Sequence, residues 1–120
     1  MQKRILVVDD DSMNLVRTKM ILGKDYEVLF ASSGMEALSK LRCERIDLVL
    51  LDIEMPKMNG IETFERMKGF ADEVPVIFLT ASGLEDDVVS AIKLGAVNYL
   101  KKPFQPQELV KRVAQEFEKP

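Results

Sequence analysis

Residues Leu48–Gly60 read LVLLDIEMPKMNG: four apolar residues in succession, an aspartate, then a segment broken by Pro56 and by Asn59-Gly60. A strand with one face in water alternates apolar and polar residues, whereas a strand covered on both faces stays apolar throughout. Four residues are too few for a helix, so Leu48–Leu51 reads as a buried strand that runs through Asp52 into a turn. Similar runs stand at Ile5–Val8, Val28–Ala31, Val76–Leu79 and Val97–Leu100, starting about 20 to 30 residues apart. Strands of this kind belong to parallel sheets, whose crossover connections carry helices.

The intervals bear this out at the level of pattern. Apolar residues recur at helical spacing in Met13, Val16 and Met20, in Ala37, Leu38 and Leu41, and in Ile61, Phe64 and Met67. Val88, Ala91 and Ile92 form a fourth set, and Leu109, Val113 and Phe117 a fifth. Each set predicts one stripe turned toward the sheet. Ser12 suits an N-cap, Ser82-Gly83-Leu84-Glu85 a capping box, Gly23 and Gly95 helix ends, and Pro106 a first turn. Five strands alternating with five helices, joined by right-handed crossovers, predict an α/β fold: a (βα)5 doubly wound, five-stranded parallel sheet with helices on both faces. The segments share no sequence beyond this pattern, so a solenoid is not expected. One domain over residues 1–120 is.

Composition narrows the functional classes. A chain of 120 residues, 47% apolar and 31% charged, has the size and balance of one soluble domain. With no run of ~18 uncharged apolar residues and no secretion signal, it is expected in the cytoplasm and not in a membrane. The lone Cys43 rules out an intrachain disulfide, and a chain without histidine lacks the usual donors for structural zinc. Cys43 reads as packing or surface filler, and the seven scattered methionines as core filling rather than a metal-binding stripe. Seventeen Lys and Arg against twenty Asp and Glu leave a net charge of -3, the wrong sign for holding nucleic acid by its phosphates. No direct nucleic-acid partner is expected.

In open α/β sheets the site lies at the carboxyl ends of the strands. Here the first predicted strand ends in Asp9-Asp10-Asp11, the third in Asp52, the fourth in Thr80-Ala81-Ser82 and the fifth in Lys101-Lys102-Pro103. Each taken alone is ordinary. Asp11 beside Ser12 is best read as a cap or a solvated loop charge, a strand-end Thr as a turn former, and a Lys before Pro as a surface charge. Their joint placement after four of five strands carries the functional reading. Carboxylates within ~4 Å of one another repel by ~4 kcal/mol per pair at an effective dielectric of about 20, so they protonate, spread or bind a cation. Magnesium suits such a rim, since it takes one or two carboxylates and leaves positions for phosphate oxygens. Beside it, Asp52 could attack phosphorus to form an aspartyl phosphate, Thr80 could donate to a phosphoryl oxygen, and Lys102 could supply a point charge.

On these residues the chain resembles the receiver domain of two-component response regulators over essentially its whole length. ILVVDDDSMN is similar to the family's acidic-pair opening, LVLLDIEMPKMNG to its phosphoacceptor loop, VIFLTAS to its hydroxyl-bearing strand and AVNYLKKPF to its aromatic and Lys-Pro segment. The resemblance implies that Asp9 and Asp10 are the metal-binding acidic pair. Asp10, Asp52 and the Glu54 backbone carbonyl would be direct Mg2+ ligands, and Asp52 the phosphoacceptor. It further implies that Thr80 is the switch hydroxyl, Tyr99 the switch aromatic and Lys102 the lysine at the phosphoryl group, with a cis Lys102-Pro103 peptide. Gly60 is expected to adopt a backbone conformation closed to other residues. Glu54 and Ser82 would flank the path of the water that removes the phosphate.

The implied function is a phosphorylation-dependent signalling switch that catalyses its own phosphorylation and dephosphorylation, not an enzyme acting on other substrates. Because the chain has no histidine, the phosphohistidine donor is external: a sensor histidine kinase or a histidine phosphotransfer protein. Output would pass through the fourth predicted helix (roughly 84–94), the fifth strand and the fifth helix to an effector protein or a fused output domain, with phosphorylation-dependent dimerisation left open. The chain reaches Pro120 directly after the fifth helical pattern, which leaves both a stand-alone regulator and the receiver of a longer protein open. Two rivals use related sheets. A haloacid-dehalogenase-like phosphatase needs a D-x-D-x-T/V run after its first strand, where Asp9-Asp10-Asp11-Ser12 is followed by Met13. An FMN binder needs a hydroxyl- and glycine-rich loop there, where this chain places three acids that repel phosphate.

Overall fold

The computed structural model describes residues 2–81, 93 and 95–119. Five strands, β1 (Arg4–Val8), β2 (Glu27–Ala31), β3 (Leu48–Asp52), β4 (Val76–Thr80) and β5 (Asn98–Lys101), form one parallel sheet in the order β2-β1-β3-β4-β5. Among the described residues the helices are α1 (Ser12–Leu22), α2 (Gly34–Cys43), α3 (Gly60–Met67) and the C-terminal helix α4 (Pro106–Glu118). The predicted set Val88, Ala91 and Ile92 and the capping box 82–85 lie outside the described residues.

Alternate residues of each strand feed two separate cores, so the sheet is doubly wound. Leu6, Val8, Val49, Leu51 and Phe78 pack with Ala37 and Leu38 of α2 and Phe64 and Met67 of α3. From the opposite face, Ile5, Val7, Leu50, Ile77 and Leu79 pack with Leu15 and Leu22 of α1 and Leu109 and Val113 of α4. The three inner strands carry the unbroken apolar runs because both their faces are covered; β2 and β5, at the edges, stay partly exposed.

Three local expectations need correction. The apolar set Met13, Val16 and Met20 faces outward, 71%, 51% and 80% exposed, while Leu15, Thr18 and Leu22 are buried. Both stripes have helical spacing; the inner one tolerates a threonine because the Thr18 hydroxyl donates to the Asn14 carbonyl of its own helix at 2.9 Å. The N-cap of α1 is Asp11, not Ser12: its carboxylate accepts from the Met13 N–H at 2.9 Å from an extended backbone, and Ser12 is the first helical residue. Gly60 opens α3 with no left-handed backbone. Room is what it supplies, since a Cβ there would lie 2.3 Å from the Asp52 carbonyl oxygen. The left-handed residue of this loop is Lys57, with φ 67°.

No described helix is long and apolar enough to cross a membrane.

Candidate functional site

The strand order reverses at β1, so the chain leaves β1 and β3 toward opposite sides and opens a crevice between their carboxyl ends. Asp9 and Asp52 sit at its two walls, 2% and 3% exposed. Asp9 is anchored on both oxygens: Oδ1 accepts from the Asp11 N–H at 2.9 Å, and Oδ2 accepts from Lys102 Nζ at 3.0 Å. Asp52, the last residue of β3, places Oδ2 3.2 Å from the same ammonium, and its Oδ1 accepts from the Glu54 N–H at 3.3 Å. Lys102 reaches the crevice because its backbone N–H extends the β4–β5 pairing, donating to the Thr80 carbonyl at 2.7 Å. The Lys102-Pro103 peptide that follows is cis.

The loop after β3 closes on itself through the Gly60 N–H, which donates to the Ile53 carbonyl at 2.9 Å, while Asn59 and Glu62 form a reciprocal cap on α3. This closure turns Glu54 back over the rim. The Thr80 hydroxyl donates to Glu54 Oε1 at 2.7 Å, and the Ala81 backbone N–H donates to Oε2 at 3.3 Å.

Burial and charge act together on Asp52. Loss of water pushes its carboxyl up to about 7; the Lys102 ammonium pulls it down, and the neighbouring Asp9 pushes it up again. For Lys102, burial works against the ammonium, but the hydrogen bond to Asp9 and the attraction of Asp52 outweigh it and raise its pKa. Negative charge is therefore in excess at a buried rim. Oxygens of Asp9, Asp10 and Asp52 lie within 4.8 Å of one another, and this set of hard oxygen donors without nitrogen or sulfur fits a hard divalent cation.

Of the residues expected to share a site, Asp9, Asp10, Asp52, Thr80, Lys102 and Glu54 meet at this edge. Asp11 stands aside as the helix cap. Tyr99 lies on β5, paired in register with Phe78, and is 38% exposed. Ser82 and most of the segment 84–94 lie outside the described residues. The Glu54 carboxylate is the participant that sequence reading assigned only a water-path role; no spacing rule signals its contact with Thr80, which depends on how the loop closes.

A sequence model of the response regulator receiver domain matches residues 5–114. The chain belongs to this family. The phosphatase and flavin-binding readings give way to it, and the receiver domain acts in two-component signalling. It is 42% identical over 119 residues to transcriptional regulatory protein CrdR of Helicobacter pylori, covering 98% of this chain and 56% of that protein. To the alkaline phosphatase synthesis transcriptional regulatory protein PhoP of Bacillus subtilis it is 40% identical over 114 residues, covering 94% and 48%. The chain thus spans about half the length of these curated relatives. Others, such as MtrA of Mycobacterium tuberculosis, are named DNA-binding response regulators, so the expectation of no direct nucleic-acid contact finds no support here. Among solved structures, a CheY-like receiver domain protein from Methanospirillum hungatei superposes with a TM-score of 0.94 at 34% identity, covering 98% of this chain and 95% of that one. The CheX-CheY complex with BeF3 and Mg from Borrelia burgdorferi gives 0.91 at 30% identity, covering 98% and 90%.

Proposed function

We propose that this receiver domain, a single unit over residues 1–120, accepts a phosphoryl group on Asp52 from a phosphohistidine of a sensor histidine kinase or histidine phosphotransfer protein. The observation that carries this reading is the position of Asp52: a buried carboxylate at a strand end, 3.2 Å from an ammonium and beside two further acids. A carboxylate oxygen of Asp52 forms the bond to phosphorus as the P–N bond to the donor imidazole breaks, and the departing nitrogen is neutralised by a proton. Lys102 compensates the charge on the phosphoryl oxygens, and the donors at the end of β4, the Thr80 hydroxyl and the Ala81 N–H, are placed to receive them. In the separate discharge step, water attacks phosphorus and gives up a proton to solvent, the bond to Asp52 breaks, and inorganic phosphate leaves the regenerated carboxylate. Both steps are the domain's own catalysis. Asp10, Asp52 and the Glu54 carbonyl, with Asp9 beside them, would hold Mg2+, which when bound offsets the negative charge of rim and phosphoryl group.

Output follows from the dianion drawing Thr80 toward it and Tyr99 moving inward from its exposed place on β5. That motion remodels the face of residues 84–94, β5 and α4, which would meet an effector protein or a fused output domain, or a second copy of the chain. About 5.5 kcal/mol of preference carries such an equilibrium from 1:99 to 99:1. The cytoplasm, where histidine kinases present their phosphohistidines, is the expected location.

The test is incubation with Mg2+ and acetyl phosphate, followed by intact mass. Wild type gains one phosphoryl group that Asp52→Asn and Mg2+-free samples lack. Equal labelling of Asp52→Asn overturns the assignment.

A further inference from the structure

If Asp52 is the phosphoacceptor, the groups that must receive its phosphoryl oxygens are already engaged. The Thr80 hydroxyl donates to Glu54 Oε1 at 2.7 Å and the Ala81 N–H donates to Oε2 at 3.3 Å. A carboxylate offers two anionic oxygens to two donors, which is what one face of a phosphoryl group offers. We infer that the Glu54 side chain is a positioning residue: an internal anion that occupies the phosphoryl-binding donors until phosphorylation displaces it. This rests on the reading of Asp52 given above and goes beyond it.

Physical considerations favour such an exchange. Thr80 is buried, and the Glu54 carboxylate gives its hydroxyl a charged acceptor that holds it in one orientation in the unmodified site. When a phosphoryl group arrives, its oxygens replace those of Glu54 on the same donors, so hydrogen bonds are exchanged and not lost. Glu54 is itself an exposed residue, so a displaced carboxylate is taken up by water. The two anions cannot share one donor pair, because like charges at contact distance repel. Release of Glu54 is thereby coupled to phosphorylation, and the retained contact slows the entry of an anionic donor.

The side chain can be changed without touching the backbone carbonyl assigned to the metal. Glu54→Ala removes the carboxylate from both donors. Glu54→Gln removes the charge but keeps one oxygen for the Thr80 hydroxyl, and its amide cannot accept from Ala81. The experiment measures initial rates of acetyl phosphate labelling at saturating Mg2+, together with the Ala81 amide shift and its solvent exchange in the metal-free, unphosphorylated protein. Expected are a rate about tenfold above wild type for Glu54→Ala and an intermediate rate for Glu54→Gln. In Glu54→Ala the Ala81 amide proton moves upfield and exchanges faster.

Variants labelled no faster than wild type, with an unmoved Ala81 amide, overturn the inference and leave Asp52 standing as acceptor. Equal acceleration in both variants overturns it too, since simple charge repulsion then suffices. A wild type that gains no phosphate at Asp52 overturns the underlying reading and this one with it.

Discussion

Both ends of the central strands carry clustered charge, and the two clusters are assembled on opposite rules. At the amino end, the Arg4 guanidinium meets Glu27 at 2.6 Å and Glu44 at 3.4 Å, the Arg4 N–H donates to Asp47 at 2.7 Å, and Arg45 pairs with Asp47. Each anion there has a cation, most of them partly in water. At the carboxyl end, Asp9 and Asp52 are buried, Asp10 stands beside them, and among the described residues Lys102 alone bridges the two buried acids. The carboxyls respond accordingly. Burial pushes Asp47 up, but the Arg4 N–H and Arg45 outweigh it and hold it below its ordinary value; Asp52 is pushed up to about 7. Balanced charge contributes modestly to the fold, whereas imbalance is retained where a cation and a phosphoryl group are to be received.

The sharpest way to break this contrast is Lys102→Ala. If the carboxyl-end lysine is a reaction group, Mg2+-dependent labelling of Asp52 falls about 100-fold, as when a preorganised electrostatic partner is lost. A variant labelled at the wild-type rate reduces Lys102 to a structural ion pair like those of Arg4.

A smaller effect is expected in stability without metal. Asp52 has a folded pKa of about 7 against an ordinary 3.8, so the folded state binds more protons than the unfolded state between those values. Stability is therefore lost as pH rises through that window, and ionised Asp52 burdens the metal-free fold at pH 8. Asp52→Asn should be more stable than wild type there by about 1–2 kcal/mol, allowing for solvent screening, and equal to it near pH 4. Urea melts at the two pH values check this. A difference that did not depend on pH would mean that the carboxyl end is as well compensated as the amino end.

The parts of this contrast differ in how far they could be read beforehand. Inner strands announced themselves because coverage on both faces forces successive apolar residues, and each predicted run lies within one residue of its strand. Asp9, Asp52, Thr80 and Lys102 were legible as a group because parallel topology brings every strand's carboxyl end to one edge. The face of α1 was not. Met13, Val16 and Met20 are more apolar than Leu15, Thr18 and Leu22, yet only the folded helix shows that Thr18 satisfies its own hydroxyl. Adjacent Asp11 and Ser12 are both good caps, and spacing does not choose between them. Need for a glycine at 60 was visible, but its cause, a close approach to the Asp52 carbonyl, is a property of packing. The hold of Glu54 on Thr80 depends on the same loop closure.

Asp47→Asn probes the other end of the comparison and should show the smallest effect. Its carboxyl is held below 3.8, so its stabilisation is present at neutral pH and is lost as pH falls through the depressed value. Asparagine keeps an oxygen that can accept from the Arg4 N–H and forfeits only the charge shared with Arg45, a partly exposed pair. The expected loss at pH 7 is therefore about 0.5–1 kcal/mol, shrinking in high salt and vanishing at low pH. Its pH dependence runs opposite to that of Asp52→Asn: one substitution costs stability at neutral pH, the other adds it. Matched denaturation curves of the two variants read that opposition directly. Should both shift the same way with pH, the amino-end cluster would also be under-compensated, and charge balance could no longer separate the structural end of the sheet from the reactive one.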